Sequence, residues 1–315
     1  MVEMNAPSIS KPRPNKEAST TLGGRSMGSG TLVAFFALSF ALAWGIIALA
    51  MLFPNQIEAI FGQMSGSNPL FILAVYAPGI VGVSLVLWHY GFRGLLSFFR
   101  RLTLWRMPLA WWAYLLVGIP AFVYLSAALN GTIKDPFPFS SLYAVLSAFV
   151  FSLLLGPLGE EFGWRGVALP LLQRRFAPLW AGLILGAIWG LWHLPSFFLS
   201  GTPQSSWSLV PFLIGLVAVA VILTPMFNAS GGSILIAILY HLQIMNPLFP
   251  EAQPWENYVF IVVAVLVVMI NRKAMLSREG AVTEVLMPEG EERSRQEEEK
   301  AAPTMPASRE PIPRR

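Results

Sequence analysis

Apolar residues run along this chain in blocks too long for soluble helices and without the period-2 alternation of half-buried strands. The blocks fall at residues 31–53, 69–89, 108–129, 140–173, 179–199, 209–227, 232–249 and 256–271. A run of about 20 apolar residues spans the hydrocarbon core as a helix. The pattern therefore predicts an all-α, polytopic transmembrane bundle of eight spans, occupying 31–271. Polar, low-complexity stretches flank it at 1–30 and 272–315, and too little apolar surface lies in either to offset the entropy of ordering. Both are expected to be disordered cytosolic tails.

Composition agrees with this reading, since 55% of residues are hydrophobic and 12% charged, at a mean hydropathy of +0.60. A soluble domain carries about twice that charge. The polar stretch before the first apolar run leaves that run as a retained anchor rather than a cleaved leader. No cysteine is present, which excludes disulfides, thiolate nucleophiles and zinc-thiolate sites.

Charge placement supplies the topology. With the N-terminus inside, Lys11, Arg13, Lys16 and Arg25, then Arg93, Arg100, Arg101 and Arg106, then Arg165, Arg174 and Arg175, and the basic residues of the C-terminal stretch all fall on the cytoplasmic side. Of the 21 basic residues only Lys134 lies outside, the positive-inside signature of an N-in/C-in chain. The net charge of +4 is thus a topology signal. No nucleic-acid motif accompanies it, and the lipid bilayer is the partner implied. The segment "YGFRGLLSFFRRLTLWRMP" mixes arginine with bulky apolar residues, as a helix lying in the headgroup plane does.

Ionisable residues inside a bilayer are costly, and by default they mark function. The single aspartate, Asp135, lies in an outer loop, leaving Glu160 and Glu161 in "GEEFGWRG" as the acids within the body of an apolar span. Neighbours on a helix diverge by about 100°. Glu161 and Arg165 stand at i and i+4, the spacing of a helical ion pair. Glu160 then faces elsewhere, free to act as a general base or to bind a metal. Pro157 and the surrounding glycines imply irregular backbone, which lipid tolerates only where it is buried in protein or lines a cavity.

His193, in "GAIWGLWHLPSFF", and His241, in "GGSILIAILYHLQIMNP", are the two histidines within spans, whereas His89 falls at a cytoplasmic span end. At 1.5 Å per residue, His193 lies about 20 Å, His241 about 14 Å and Glu160 about 20 Å from the cytoplasmic surface. The three share a depth only if the fourth span continues to Gln173, with a kink near Pro157. A purely structural role, a Glu–Glu–Arg cluster gluing helices, is the competing reading of these residues.

The set resembles the CPBP family of intramembrane proteases, which includes the type II CAAX prenyl endopeptidases and bacterial Abi-type proteins. Glu160, Glu161 and Arg165 match the family's Glu-Glu-x-x-x-Arg; Trp189 and His193 match its aromatic-x-x-x-His, with Trp for the usual Phe. The resemblance covers about 140–250. The third motif, His-x-x-x-Asn, departs: position 245 is Met, and Asn246 comes one residue late. On a regular helix that moves the amide from about 40° to about 140° away from His241. Pro247 biases Asn246 out of helical geometry, so the amide either swings back to the site or closes the helix.

The resemblance implies an intramembrane endopeptidase acting on a membrane-associated peptide or protein. Glu160 and His193 activate water, His241 and Asn246 stabilise the oxyanion, and Glu161, Arg165 and Trp189 support them. It further implies a bacterial plasma-membrane protein whose site opens to the cytosol. Glu160, His193 and His241 also supply the ligand types of a catalytic zinc site; we expect the metal-free mechanism. The alternatives are a non-proteolytic immunity or scaffold protein, and a transporter coupling protons through Glu160.

Overall fold

The computed structural model describes residues 26–135 and 137–287. Among the described residues there are helices and no strands. Six helices are long and apolar enough to cross a membrane: α1 (Ser29–Leu52), α2 (Ala77–Thr103), α3 (Leu109–Asn130), α4 (Leu142–Gln173), α5 (Pro178–Phe198) and α6 (Leu209–Ala229). Two shorter apolar helices, α7 (Ile234–Ile244) and α8 (Trp255–Ile270), complete the polytopic bundle. α6 lies at its centre, buried over most of the length from Phe212 to Phe227, with α5 and α8 against it.

The second predicted span is two pieces. Asn68 caps Pro69–Val75 by accepting from the Leu70 N–H, and the chain breaks at Tyr76 before α2 begins. Gly91, at φ 63° and ψ −168°, then ends the regular part of α2. That left-handed φ is open to glycine at little cost. Residues 92–100 therefore form the separate helix expected of the Arg-, Phe- and Leu-rich segment.

α4 departs from a regular helix twice, and both departures shape the site. At Gly156, φ −125° and ψ −70° interrupt it just before Pro157. Residues Trp164–Ala168 then make one π-helical stretch ahead of Pro170. Proline removes the N–H that would bond the carbonyl four residues back, here Gly166. An orphan carbonyl inside a membrane protein needs a donor. Arg101, 1% exposed, supplies it: Nη1 lies 2.7 Å from the Gly166 O and 2.8 Å from the Val285 O, and Nε lies 2.9 Å from the Gly232 O.

The chain after residue 271 corrects an expectation, because the disordered tail does not begin at 272. Arg272–Leu276 is a short helix, and the segment after it buries Val285 and Met287. Donors from elsewhere hold that segment: Gln173 Nε2 to the Val282 O at 2.8 Å, Arg174 Nε to the Thr283 O at 2.8 Å, and Arg101 to Val285. At the other terminus Met27 is buried, its N–H donating to the Tyr90 hydroxyl at 3.1 Å. The remaining tail expectations, over 1–25 and 288–315, lie outside the described residues.

Close backbone crossings by small residues set the helix positions, the usual basis of helix association in lipid. α2 meets α4 through Gly79, where an added Cβ would sit 2.5 Å from the Gly159 O, and through Gly163, where it would collide with the Pro78 carbonyl. α5 meets α6 through Gly182, Gly186 and Gly190; a Cβ on Gly186 would stand 2.7 Å from the Val217 Cα. Gly163→Val is therefore expected to destabilise the fold by about 2 kcal/mol or more. Gly45→Ala, with nothing within 4 Å of the new methyl, is expected to change stability by less than about 0.5 kcal/mol. Thermal unfolding in detergent compares the two.

Candidate functional site

Gly159 and Gly163 flank the two glutamates, so the crossing that locks α4 to α2 also fixes the rotation of the acids. Both are buried, Glu160 at 4% and Glu161 at 0% exposure. Glu161 Oε1 accepts from Arg165 Nη1 at 2.9 Å and from His241 Nδ1 at 2.8 Å. The structure thus places Glu161, not Glu160, on His241. The Arg165 guanidinium also lies over the Trp189 ring, 4.4 Å from its centroid, a cation–π contact strengthened by the dry surroundings.

Glu160 points into a different environment. Its Oε2 accepts from Trp189 Nε1 at 2.5 Å and from Trp164 Nε1 at 3.2 Å. Oε1 accepts from no described residue and is not sealed from the adjoining cavity. One oxygen is pinned by two indoles and the other is left open. Trp164 was not foreseen from the sequence, although it stands four residues after Glu160, the same spacing that identified Arg165.

His193 follows the regular part of α5, Pro178–Trp192, with Nδ1 2.8 Å from the Trp189 O. A carbonyl only accepts, so the proton is on Nδ1, and Nε2 of the neutral ring is an acceptor. Trp192 and Phe212 hold the ring edge-to-face, at centroid distances of 4.8 and 5.3 Å. His241 packs edge-to-face on Trp189 at 5.2 Å. Its Nε2 faces Gly156, where an added Cβ would stand 3.4 Å away. His89 is elsewhere, its Nε2 3.2 Å from the Thr31 hydroxyl on α1.

Glu160, Trp189, His193 and His241 line one cavity of about 160 Å³. Asn246 does not line it. Its Nδ2 donates to Gln243 Oε1 at 3.1 Å and its Oδ1 accepts from the Leu248 N–H at 3.0 Å, closing the turn after α7. Of the two fates open to this amide, the structure takes the helix stop. α7 has ended by Met245, whose side chain lines the cavity where the resemblance calls for the amide.

The far wall carries polar residues that sequence reasoning missed. Asn257 Nδ2 donates to Gln253 Oε1 at 2.6 Å, and Gln253 Nε2 donates to Glu256 Oε1. All three line the cavity. Their signal was the i, i+3, i+4 spacing at the start of α8, where an acid reads as an ordinary first-turn residue.

The zinc alternative fits this arrangement poorly. Among the described residues no group of three His, Cys, Asp or Glu side chains is placed to hold a metal. Glu160 turns one oxygen to two indoles, and His241 gives Nδ1 to Glu161.

The loop carrying Pro203, Gln204 and Trp207 and the start of α8 also line the cavity. That end of the bundle is opposite Met27 and the segment after α8.

Apolar helices enclosing an ion pair and a second carboxylate at a cavity define an integral, multi-pass membrane protein with a polar site within the bundle. Residues 142–245 match the family model for the type II CAAX prenyl endopeptidase Rce1-like domain. A stretch of 180 residues is 29% identical to a protein of Methanococcus maripaludis named CAAX prenyl protease 2, covering 51% of this chain and 66% of that protein. The chain thus spans just under two thirds of that relative's length. Residues 142–245 are thus similar to an Rce1-like domain. Its matched residues hold Glu160, Glu161, Arg165, Trp189, His193 and His241, and end one position before Asn246.

Removing Arg165 leaves a buried carboxylate with one partner fewer. Arg165→Met is expected to cost about 3 kcal/mol, and the double variant Glu161→Gln/Arg165→Met less. Unfolding midpoints of the two variants, measured in one detergent, give the comparison.

Proposed function

We propose that the protein is an intramembrane endopeptidase that hydrolyses a peptide bond of a membrane-associated protein or peptide with water activated by Glu160 and His193. The observation that carries this reading is the open Glu160 Oε1 in the cavity shared with His193 and His241. A water there donates one hydrogen to Glu160 Oε1 and the other to His193 Nε2, leaving a lone pair for the substrate carbonyl. As attack proceeds Glu160 takes the proton, the general-base role, and later delivers it to the leaving nitrogen. Held by two indole N–H groups, the carboxylate stays oriented through both steps.

The tetrahedral oxygen needs donors. His241, with Nδ1 on Glu161, offers Nε2 at the Gly156 break, and as the imidazolium it donates there. Asn246 is engaged with Gln243 and Leu248 and takes no part in this mechanism. The family resemblance, the Rce1-like match and the relative's name support peptide-bond hydrolysis as the reaction class.

Met245 in place of a carboxamide is the observation that favours a second reading, a non-proteolytic immunity or scaffold protein that retains the cluster for packing. Reconstituted protein separates the two. Glu160→Gln is expected to unfold at the wild-type temperature and to lose about 10³-fold in cleavage of a membrane-peptide panel, the scale of general-base loss. Asn246→Ala is expected to stay within about 3-fold of wild type, as suits a residue outside the oxyanion site. Undiminished activity of Glu160→Gln would remove the proposed base.

The metal-free assignment has its own measurement. Protein dialysed against a strong chelator is expected to hold well under one zinc per chain and to keep its cleavage rate. Stoichiometric zinc whose removal abolishes cleavage would overturn it.

A further inference from the structure

The start of α8 brings a second carboxylate to the cavity that Glu160 lines. Glu256, the second residue of that helix, lines it together with Gln253 and Asn257. Asn257, 6% exposed, is fixed from behind by Gly215 of α6, where an added Cβ would collide with Oδ1. Its Nδ2 donates to Gln253 Oε1 at 2.6 Å, and Gln253 Nε2 donates in turn to Glu256 Oε1. The bonds run one way and end on an acceptor. Glu256 Oε2 accepts from no described residue and is not sealed off.

A carboxylate enclosed by protein is ordinarily paired with a cation. Glu256 has no such partner, because the ion pairs among the described residues join Arg165 to Glu161, His241 to Glu161 and Arg174 to Glu284. No Lys or Arg lines the cavity either, and its ionisable residues are Glu160, Glu256, His193 and His241. Glu251 adds a further acid nearby, its Oε1 accepting from the Gln253 N–H at 2.9 Å. The helix dipole favours a first-turn acid, but it does not account for two carboxamides aligned on that acid.

The same cavity carries a donor and an acceptor that the protein leaves unmatched. Trp192, 5% exposed, and Gln204 both line it, and the Trp192 Nε1 and Gln204 Oε1 atoms are buried with no hydrogen-bond partner. Leaving buried polar groups open is costly. The C=O and N–H of a peptide backbone are their complements.

We propose that Glu256 is a specificity-determining residue of this cavity, pairing with a lysine or arginine side chain of the peptide bound there. Its Oε2 accepts from the ammonium or guanidinium in a charge-assisted bond. Gln253 and Asn257 are positioning residues that act through Glu256. The proposal rests on the protease reading for its peptide occupant: Glu256 selects among peptides, and Glu160 acts on the one selected.

Peptides differing at one position test it. A quenched membrane-peptide series carries lysine, acetyl-lysine or glutamate at successive positions around its centre; acetyl-lysine keeps the length and loses the charge. At the preferred position, wild type is expected to show at least about 10-fold higher kcat/KM for the lysine peptide than for the acetyl-lysine one, the scale of a bond to a charged group. Glu256→Gln is expected to bring the two within about 2-fold, and Glu256→Lys to favour the glutamate peptide. A helix-end role alone would shift the unfolding temperature and leave the ratio as it was. Equal cleavage of the lysine and acetyl-lysine peptides by wild type overturns the proposal. So does an unchanged ratio in Glu256→Gln, or in Glu256→Asp where only that variant folds.

Binding separates this inference from the protease reading. The same peptides are titrated onto Glu160→Gln in an uncharged detergent. A Kd about 10-fold lower for the lysine peptide, lost in Glu160→Gln/Glu256→Gln, supports Glu256 without any cleavage. Where that preference appears and wild type cuts none of the peptides, Glu256 keeps its role and the protease reading fails. Where peptides are cut but lysine is preferred in neither assay, the protease reading stands and Glu256 loses its role.

Discussion

A carboxylate taken out of water into a helical bundle must find its compensation within the protein, and Glu161 does so through a single oxygen. Oε1 accepts from Arg165 on its own helix and from His241 on α7. The first bond fixes the Arg165 side chain over Trp189, and the second ties α7 to α4 at the depth of the site. Because adjacent helical residues diverge by about 100°, pinning Glu161 also decides where Glu160 points. The reactive carboxylate is placed by its neighbour's ion pair, and its own partners are uncharged indoles.

The same accounting explains the irregular backbone around it. Pro170 withdraws the donor that the Gly166 carbonyl would have used, and Arg101 replaces it from α2 while also bonding Gly232 and Val285. One buried guanidinium thus joins α2, α4, the turn before α7 and the segment after α8. In the middle of α4, the Gly156 break gives His241 Nε2 and the Met245 sulfur room against the backbone, where an added Cβ would meet both. The two breaks act in opposite senses: the one near Gly166 is closed by a long-range donor, and the one at Gly156 is left facing the cavity.

Much of this was readable from residue order, and the exceptions share a cause. Span positions, the Glu161–Arg165 spacing and the separation of the two glutamates follow from hydropathy and helical periodicity, which are local. The placement of residues 277–287 does not, because what holds them is donated by Arg101, Gln173 and Arg174 from distant parts of the chain. Asn246 was ambiguous for a related reason. Pro247 freed it from the helix, but only the nearby Gln243 and Leu248 decided which way the amide would turn. The indole bonds to Glu160 were half legible: Trp189 was singled out as the aromatic residue one turn before His193, and its N–H carries the shorter bond.

The two departures from the family pattern then bear on one another. With Trp where Phe is usual, Glu160 gains a hydrogen bond at 2.5 Å on Oε2. That leaves a base with one working oxygen in a fixed direction. With Met at 245, the wall beside His241 is a thioether, too weak an acceptor and no donor at all. Charge developing on a substrate oxygen there would meet one imidazole instead of an imidazole and an amide. On the protease reading, the site has moved polar contact from the oxyanion side to the base side, giving a carboxylate held more tightly and an oxyanion served by His241, whose Nδ1 Glu161 holds from behind.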